Sequence, residues 1–224
     1  VPVQTLSPAA LERSLVSMGD TARLAHALSK ARRGETITVG VIGGSITAGA
    51  HASTPENRWG NRLAAWWRHA FPDTEVRFVN AGIGATGSDI GAHRVRAHLL
   101  QYEPDFVGVE FAVNDAGSPI AGETFEGLVR QILETPNHPA VVLLFTMHRN
   151  GTNCQDAHEP VGHHYNLPMV SFRDALWPEI EAGNMRWEDV EADEVHPNDL
   201  GHRYCAEFIE PVLDTALHAL PSDD

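Results

Sequence analysis

The sequence has few cysteines and lacks any long apolar run. Its 224 residues include two cysteines, Cys154 and Cys205, which form neither a CxxC pair nor a disulfide framework. Two thiols in a chain of this length are typical of a reducing compartment. No secretion signal follows Val1, so we expect a cytoplasmic location unless a leader has been removed. No stretch of about 18 apolar residues is present, so the sequence predicts no membrane-spanning helix.

Positive charge is also scarce. Lysine and arginine number 16 against 30 aspartates and glutamates, and the formal net charge at pH 7 is -14. The densest basic run, residues 30–33, lies at the end of a predicted helix, where cations interact favourably with the helix dipole. Such a chain would repel a nucleic acid or an anionic membrane, so we expect neither as a partner. The sequence leaves the oligomeric state open.

The chain does contain a regular alternation of strands and helices. Hydrophobic residues make up 42% of it, enough for one domain over residues 1–224, with residues 1–35 as a helical extension packed on that domain. Apolar, β-branched runs predict five strands, at 36–42, 75–79, 106–113, 141–145 and 169–172. Helical patterns occur at 57–69, 89–100, 125–133, 159–165 and 198–217. This order predicts an α/β fold whose mainly parallel sheet is covered by helices on both faces, with ligands binding beyond the carboxyl ends of the strands.

A serine stands at the carboxyl end of the first of these strands. In VIGGSITAG (41–49) the apolar run stops at two glycines and Ser45 follows, a position where serine more often caps a turn than reacts. A second motif, DEVHPNDLGH (193–202), places Asp193 three residues before His196. The carboxylate can then bond one imidazole nitrogen and leave the other free to accept a proton. Serine, histidine and aspartate together are the parts of acyl-transfer catalysis.

The third strand ends in a side chain suited to stabilising the oxyanion of such a reaction. In FAVND (111–115), Asn114 emerges at the same sheet edge as Ser45, and its amide can donate to a developing negative charge. The backbone N–H of Ser45, and one from the glycine turn after Asn80, can supply the other donors. These residues together predict a serine hydrolase site.

Two other kinds of site remain as alternatives. GIGATG (82–87) matches the dinucleotide fingerprint GxGxxG, but the only acid of the next strand, Glu110, lies inside that strand rather than at its end. Four histidines, at positions 148, 158, 163 and 164, crowd near Cys154 without HExxH or CxxC spacing, so we expect no metal. A nucleotide-binding oxidoreductase and a non-catalytic binding module are the alternatives from other functional classes.

Taken in order, these segments resemble the blocks of the SGNH/GDSL hydrolase family. GGSIT resembles its nucleophile block, NAGIGATGS its glycine block, FAVND its GxND block and DEVHPNDLGH its DxxH block, and together they span residues 41–202. The resemblance implies a three-layer α/β/α, flavodoxin-like fold, with no cofactor and no metal. It also implies the roles of four residues: Ser45 as nucleophile, His196 as base, Asp193 as the group that orients it, and Asn114 as oxyanion donor.

The sequence departs from the family pattern at three positions. Gly44 stands where the family usually has aspartate, and Ala112 replaces the glycine of GxND. Ala85 stands where the second block usually has glycine, with Gly84 beside it. An oxyanion donor there would be a backbone N–H, which alanine also has, so the sequence leaves open whether Gly84 or Ala85 donates.

The expected substrate is an ester with a short acyl group. GGSIT and EPVGHHYNLPMVSFRDALW (159–177) resemble bacterial carbohydrate esterases, so the resemblance implies removal of acetyl groups from carbohydrate hydroxyls. Lysophospholipase and acyl thioesterase activities are alternatives within the same fold. The segments expected to wall the site, 48–61 and 148–160, are rich in polar side chains. Within them we expect Trp59 to stack on a sugar ring and His148 to contact the substrate.

Overall fold

The computed structural model describes residues 6–221, in which one sheet lies between two layers of helices. Its strands are β1 Leu15–Ser17, β2 Ile37–Gly43, β3 Val76–Gly82, β4 Phe106–Glu110, β5 Ala140–Phe145 and β6 Met169–Ser171. Its α-helices are α1 Pro8–Ser14, α2 Ala22–Arg32, α3 Ser45–Ala48, α4 Trp59–Ala70, α5 Ser88–His98, α6 Ala121–Leu133, α7 Gln155–His164, α8 Phe172–Glu181, α9 Trp187–Val190 and α10 Asp199–His218. Two short 3-10 helices cover Pro55–Asn57 and Leu100–Tyr102.

The six strands lie in the order β1-β6-β5-β4-β2-β3, and all neighbouring pairs from β6 to β3 are parallel. The predicted mainly parallel sheet is therefore confirmed. The predicted number of five strands is wrong, because β1 pairs antiparallel with β6 at one edge. Helix α1 ends at Ser14, and Leu15 becomes extended, with φ -83° and ψ 104°, opposite Val170. A strand of three residues is too short to show a periodicity in the sequence.

Strand side chains alternate between two apolar cores. In β5, Val142 and Leu144 join the core formed with α2, α4, α8 and α10, whereas Val141 and Leu143 join the core formed with α5, α6 and α7. All four side chains are buried. Successive strand residues point to opposite faces, so this alternation builds helix layers on both sides of the sheet. The predicted three-layer α/β/α architecture is confirmed.

The carboxyl ends of β2, β3 and β4 meet at one edge of the sheet. Gly43, at the end of β2, pairs with Gly82 of β3 on one side and with Glu110 of β4 on the other. The chain passes from β2 to β3 and then crosses to β4 on the opposite side, so the connections diverge at this point, where α/β proteins bind ligands. The loops after these strands carry Ser45, Gly84, Ala85 and Asn114.

The longest helix, α10, has 20 residues, and its start lies close in sequence to His196. Asn198 caps this helix, because its side chain accepts the N–H groups of Leu200 and Gly201. The cap anchors the loop that carries His196 to a long buried helix. Within residues 6–221, no helix combines the length and apolarity needed to cross a bilayer.

Candidate active site

Ser45 begins α3, directly after the two glycines that follow the apolar part of β2. Its Oγ lies 2.8 Å from His196 Nε2. The imidazole reaches it from the loop between α9 and α10, 151 residues along the chain. The structure therefore brings the serine and the histidine singled out in the sequence into hydrogen-bond contact.

Asp193 holds the other side of the same imidazole. Its Oδ2 accepts a hydrogen bond from His196 Nδ1 at 2.8 Å, and its Oδ1 accepts the backbone N–H groups of Val195 and His196 at 2.9 and 2.8 Å. With Nδ1 as donor, Nε2 is the acceptor of the ring, and it faces the serine hydroxyl. Partial burial would raise the pKa of Asp193, but the hydrogen bonds from His196 and Val195 outweigh it and hold this pKa at about 2.

A second histidine, which no sequence motif marks, lies against the same carboxylate. His51 Nε2 is 3.2 Å from Asp193 Oδ2, and the ring centroids of His51 and His196 are 5.5 Å apart. His51 belongs to the loop after α3 and has a left-handed backbone, with φ 61°. Its contact joins two loops that are far apart in sequence, so spacing could not reveal it.

Asn114 packs directly against the residue before Ser45. A Cβ added to Gly44 would lie 1.9 Å from Asn114 Oδ1 and 3.0 Å from Asn114 Nδ2. A side chain at position 44 therefore requires the Asn114 amide to shift. The Asn114 amide oxygen faces Gly44, the residue before Ser45.

The glycine loop after β3 borders Ser45 from another direction. A Cβ added to Gly84 would lie 3.8 Å from Ser45 Cβ, so the two residues are in van der Waals range. Ala85 has φ 57°, a left-handed conformation that glycine adopts at lower cost. The loop therefore lies where an oxyanion donor is predicted, and the choice between the N–H groups of Gly84 and Ala85 stays a prediction.

Buried polar side chains tie these loops to one another. The Arg94 guanidinium donates to main-chain carbonyls near the ends of β2 and β3. Asp115, next to Asn114, accepts the N–H of Ser88 at the start of α5 at 2.7 Å and Nε2–H of His158 at 2.9 Å. Both members of the Asp115–His158 pair are buried. Helix α5 is thus hydrogen-bonded to the ends of β2 and β3 through Arg94, and to the loop after β4 through Asp115.

The histidines of residues 148–164 have separate surroundings. His158 pairs with Asp115 inside the protein, while His163 lies 3.2 Å from Glu159 on the surface of α7. His164 instead packs edge-on against the ring of Tyr165. These side chains do not come together as a common ligand set, so the crowding seen in the sequence does not correspond to a cluster in space.

A polar cleft of about 650 Å³ opens beside the loop that carries the Asp193 carboxylate. His148 lines it together with Arg149, Thr152 and Glu194. Glu194 follows Asp193 in the chain, but neither Asp193 nor His196 is among the residues that line the cleft. His148 Nε2 lies 3.2 Å from the main-chain oxygen of Val113, the residue before Asn114, and its contact with a substrate stays a prediction.

Trp59 does not line this cleft. Its side chain is 0% exposed, and a Cβ added to Gly108 of β4 would lie 2.9 Å from its ring. The prediction that Trp59 stacks on a sugar is wrong in this structure, because a buried ring offers no face to a ligand. Trp59 instead begins the buried stripe of α4, which continues at Leu63 and Trp67 with the spacing of one helix face.

A fully buried carboxyl group lies at the end of β4. Glu110 accepts a hydrogen bond from Thr146 Oγ1 at 2.6 Å and a longer one from Thr47 Oγ1 at 3.4 Å. Burial, reinforced by the charge of Asp115, raises the pKa of Glu110 to about 7 in spite of these hydrogen bonds. The expectation that Glu110 lies inside the strand is wrong, because β4 ends at this residue. Glu110 is nevertheless 0% exposed and enclosed between two threonines, so it is not available to hold a ribose as the nucleotide-binding interpretation requires.

We expect Glu110 to make stability depend on pH. Between its ordinary pKa of 4.5 and about 7, the folded state keeps a proton that the unfolded state has released, so the free energy of unfolding falls as pH rises. This contribution to the free energy of unfolding is fully present below pH 4.5, the pKa of the group in the unfolded state. It is lost once the pH exceeds the folded-state pKa of about 7, and it amounts to roughly 3 kcal/mol.

Glu110→Gln should remove this loss, because an amide oxygen still accepts from Thr146 and carries no charge. Urea unfolding at several pH values should show the variant gaining stability relative to the wild type as pH rises from below 4.5 to above 7. A stability difference that stays constant over this range would contradict the effect.

Comparisons with known proteins identify the family of the chain. The model of the GDSL-like lipase/acylhydrolase family matches residues 41–204. A two-domain esterase (CEX) active on acetylated mannans is 37% identical, with a TM-score of 0.91 over 96% of this chain. The structure of that esterase co-crystallised with mannopentaose is 38% identical, with a TM-score of 0.91 over 95% of this chain. The chain spans 58% of the length of the two-domain esterase.

A more distant structure shows the same fold. A variant of Axe2, an acetyl xylan esterase from Geobacillus stearothermophilus, is 18% identical, with a TM-score of 0.61 over 80% of this chain and 95% of its own. A search of curated protein sequences returned no significant match. The family match covers most of the chain and confirms the resemblance carried by the four sequence blocks. The chain belongs to the GDSL-like lipase/acylhydrolase family of ester hydrolases.

Proposed function

We propose that this chain hydrolyses short-chain acyl esters, above all acetyl esters of carbohydrate hydroxyls, through Ser45, His196 and Asp193. The observation that carries the proposal is the continuous hydrogen-bond chain from Asp193 Oδ2 through the His196 ring to Ser45 Oγ, with 2.8 Å at both links. This arrangement prepares a serine hydroxyl for proton removal without a metal or a cofactor.

The first half of the reaction forms an acyl-enzyme. Ser45 Oγ attacks the ester carbonyl carbon while His196 Nε2 takes the hydroxyl proton, and Asp193 stabilises the imidazolium that results. The carbonyl oxygen gains negative charge, and we assign its stabilisation to the Asn114 amide, the N–H of Ser45 and one N–H from the loop after β3. Collapse of this intermediate breaks the bond to the alcohol oxygen, which takes the proton from His196 and leaves.

The second half releases the acyl group. Water replaces the alcohol, His196 Nε2 takes a proton from it, and the resulting nucleophile attacks the acyl carbon. The Ser45 Oγ–acyl bond then breaks, Ser45 regains the proton from His196, and the carboxylic acid departs. The same imidazole therefore serves as base and acid in both halves, which requires the hydrogen bond to Asp193 to persist throughout.

The polar cleft supports a carbohydrate as the alcohol part of the substrate. Arg149, Thr152 and Glu194 offer hydrogen-bond donors and acceptors to sugar hydroxyls along the cleft lined by His148. The two-domain esterase that is 37% identical to this chain is active on acetylated mannans, which adds support from a relative. A long acyl chain would need large apolar side chains around it, since each buried CH₂ contributes about 0.8 kcal/mol, and none from residues 6–221 lines this cleft.

Acyl-chain length gives a direct test of the proposed substrate. With p-nitrophenyl esters, kcat/KM should fall from acetate to butyrate and nearly vanish at octanoate, because the polar wall gives added methylenes little favourable contact. Ser45→Ala, assayed in parallel, supplies the background rate. Acetate release from acetylated oligosaccharides should follow the same dependence on Ser45.

Three outcomes would contradict the proposal in different ways. Preference for octanoate or for an acyl-CoA would indicate a lysophospholipase or thioesterase of the same fold. Rates equal to those of Ser45→Ala on every ester would indicate a binding module. Saturable binding of NAD, followed by fluorescence titration, would restore the nucleotide-binding alternative.

A further inference from the structure

Three side chains capable of metal coordination converge at the back of the His196 ring. Asp193 Oδ2 lies 2.8 Å from His196 Nδ1 and 3.2 Å from His51 Nε2. One potential ligand atom from each of the three residues lies within 4.8 Å of the other two. Two imidazole nitrogens and a carboxylate oxygen form a donor set that Zn²⁺ accepts.

We propose that His51, Asp193 and His196 form a site for Zn²⁺, and that the bound ion reversibly inhibits the enzyme. Ligand atoms of a tetrahedral zinc ion are about 3.4 Å apart. The 2.8 and 3.2 Å contacts of Asp193 Oδ2 are close to this spacing, and the two imidazole nitrogens, at most 4.8 Å apart, would approach each other when the ion binds. The ligand side chains are 50%, 40% and 22% exposed, so an ion from solution can reach them. A solvent molecule can complete the fourth position.

Inhibition follows from which nitrogen of His196 is used. At present Nδ1 carries the ring proton and donates it to Asp193, and Nε2 is the acceptor that faces Ser45. A zinc ion bonded to Nδ1 takes that lone pair, so the proton of the neutral ring lies on Nε2 instead. Nε2 then has no lone pair for the serine proton, and Asp193 is engaged by the ion. This step rests on the proposed function, whereas the binding of zinc does not.

The position of the ion also predicts the kinetic form of inhibition. Zinc would lie on the side of the imidazole away from Ser45 Oγ, so it does not occupy the place of the ester. We therefore expect kcat to fall with little change in KM. Mg²⁺ prefers oxygen ligands in an octahedral arrangement, so it should not inhibit at the same concentrations.

An activity experiment tests the site with a matched control. Protein without a histidine tag is assayed on p-nitrophenyl acetate with increasing ZnCl₂, and excess EDTA should restore the rate. His51→Gln removes one of three ligands and should raise the zinc concentration for half-inhibition by about tenfold or more, relative to its own zinc-free rate. His98→Gln, at the far end of α5, changes another exposed histidine and should leave that concentration unchanged.

A binding experiment separates this proposal from the esterase proposal. Ser45→Ala lacks the proposed nucleophile but keeps all three ligands, so calorimetric titration with ZnCl₂ should still show one ion bound. The Ser45→Ala, His51→Gln double variant should lose that binding. Equal zinc inhibition of wild type and His51→Gln, or no zinc binding by Ser45→Ala, would overturn the zinc site. Full hydrolytic activity of Ser45→Ala would overturn the esterase mechanism alone.

Discussion

Ser45→Ala and His196→Ala should each lower kcat by about four to six orders of magnitude, and the double variant should lose little more. In the proposed mechanism the hydroxyl and the imidazole act in the same proton transfer, and they are in direct contact at 2.8 Å. Without Ser45 there is no proton to transfer, and without His196 there is no base to accept it. Single-turnover and steady-state rates on p-nitrophenyl acetate measure the effect.

Two further variants show whether the loss of kcat is specific to Ser45 and His196. Ser53 lies in the loop after α3, and its exposed hydroxyl donates a hydrogen bond to Asp199. Ser53→Ala removes this hydroxyl and should leave kcat within a few-fold of the wild type. Asp193→Asn should cost less than either main variant, because Asp193 orients the ring rather than reacting. If the losses from Ser45→Ala and His196→Ala multiplied in the double variant, the two residues would act independently and the mechanism would be wrong.

Asn114→Ala should lower kcat by about a hundredfold or more while leaving KM nearly unchanged. In the proposed mechanism the amide donates to negative charge that develops only in the transition state, so its removal should weaken catalysis more than substrate binding. Asn114→Asp is a sharper variant because it keeps the shape that packs against Gly44 but replaces a donor with a negative charge. It should be at least as damaging as alanine.

The Asn114 prediction also has a matched control. Asn137 lies before β5, at the opposite end of the sheet, where its amide bonds a main-chain carbonyl. Asn137→Ala should reduce stability without lowering kcat comparably. If Asn114→Ala changed KM and left kcat intact, Asn114 would bind the substrate rather than stabilise the oxyanion.

The sheet could be predicted from the sequence because its central strands are strongly apolar. The pattern predicts strands at 36–42 and 141–145, and the structure has them at Ile37–Gly43 and Ala140–Phe145. By contrast, α8 was not predicted, because it starts directly after β6 and contains Pro178, which obscures a helical pattern. Residues Leu15–Ser17 form a strand only through pairing with β6, and such long-range contacts have no local signature.

The site was predictable to the extent that its parts lie at the ends of strands and in short motifs. Asp193 and His196 are three residues apart, and their contact is local enough to infer from spacing. The contact of His51 with Asp193 and the burial of Glu110 could not be predicted, since both depend on how distant segments pack. Trp59 was assigned to the wrong environment for the same reason, because its position after the nucleophile does not reveal which way the first turn of α4 faces.

The close packing of Gly44 on Asn114 bears on how relatives of this protein are used in engineering. Substituting towards the residue most common in a family often stabilises a protein. At position 44 that choice would be aspartate, whose Cβ would occupy the space of the Asn114 amide, 1.9 Å from its oxygen. The two positions behave as a matched pair, so a library that varies position 44 has to vary the surroundings of Asn114 with it. Replacing Gly44 alone by the residue of a relative would displace the Asn114 amide from its present position.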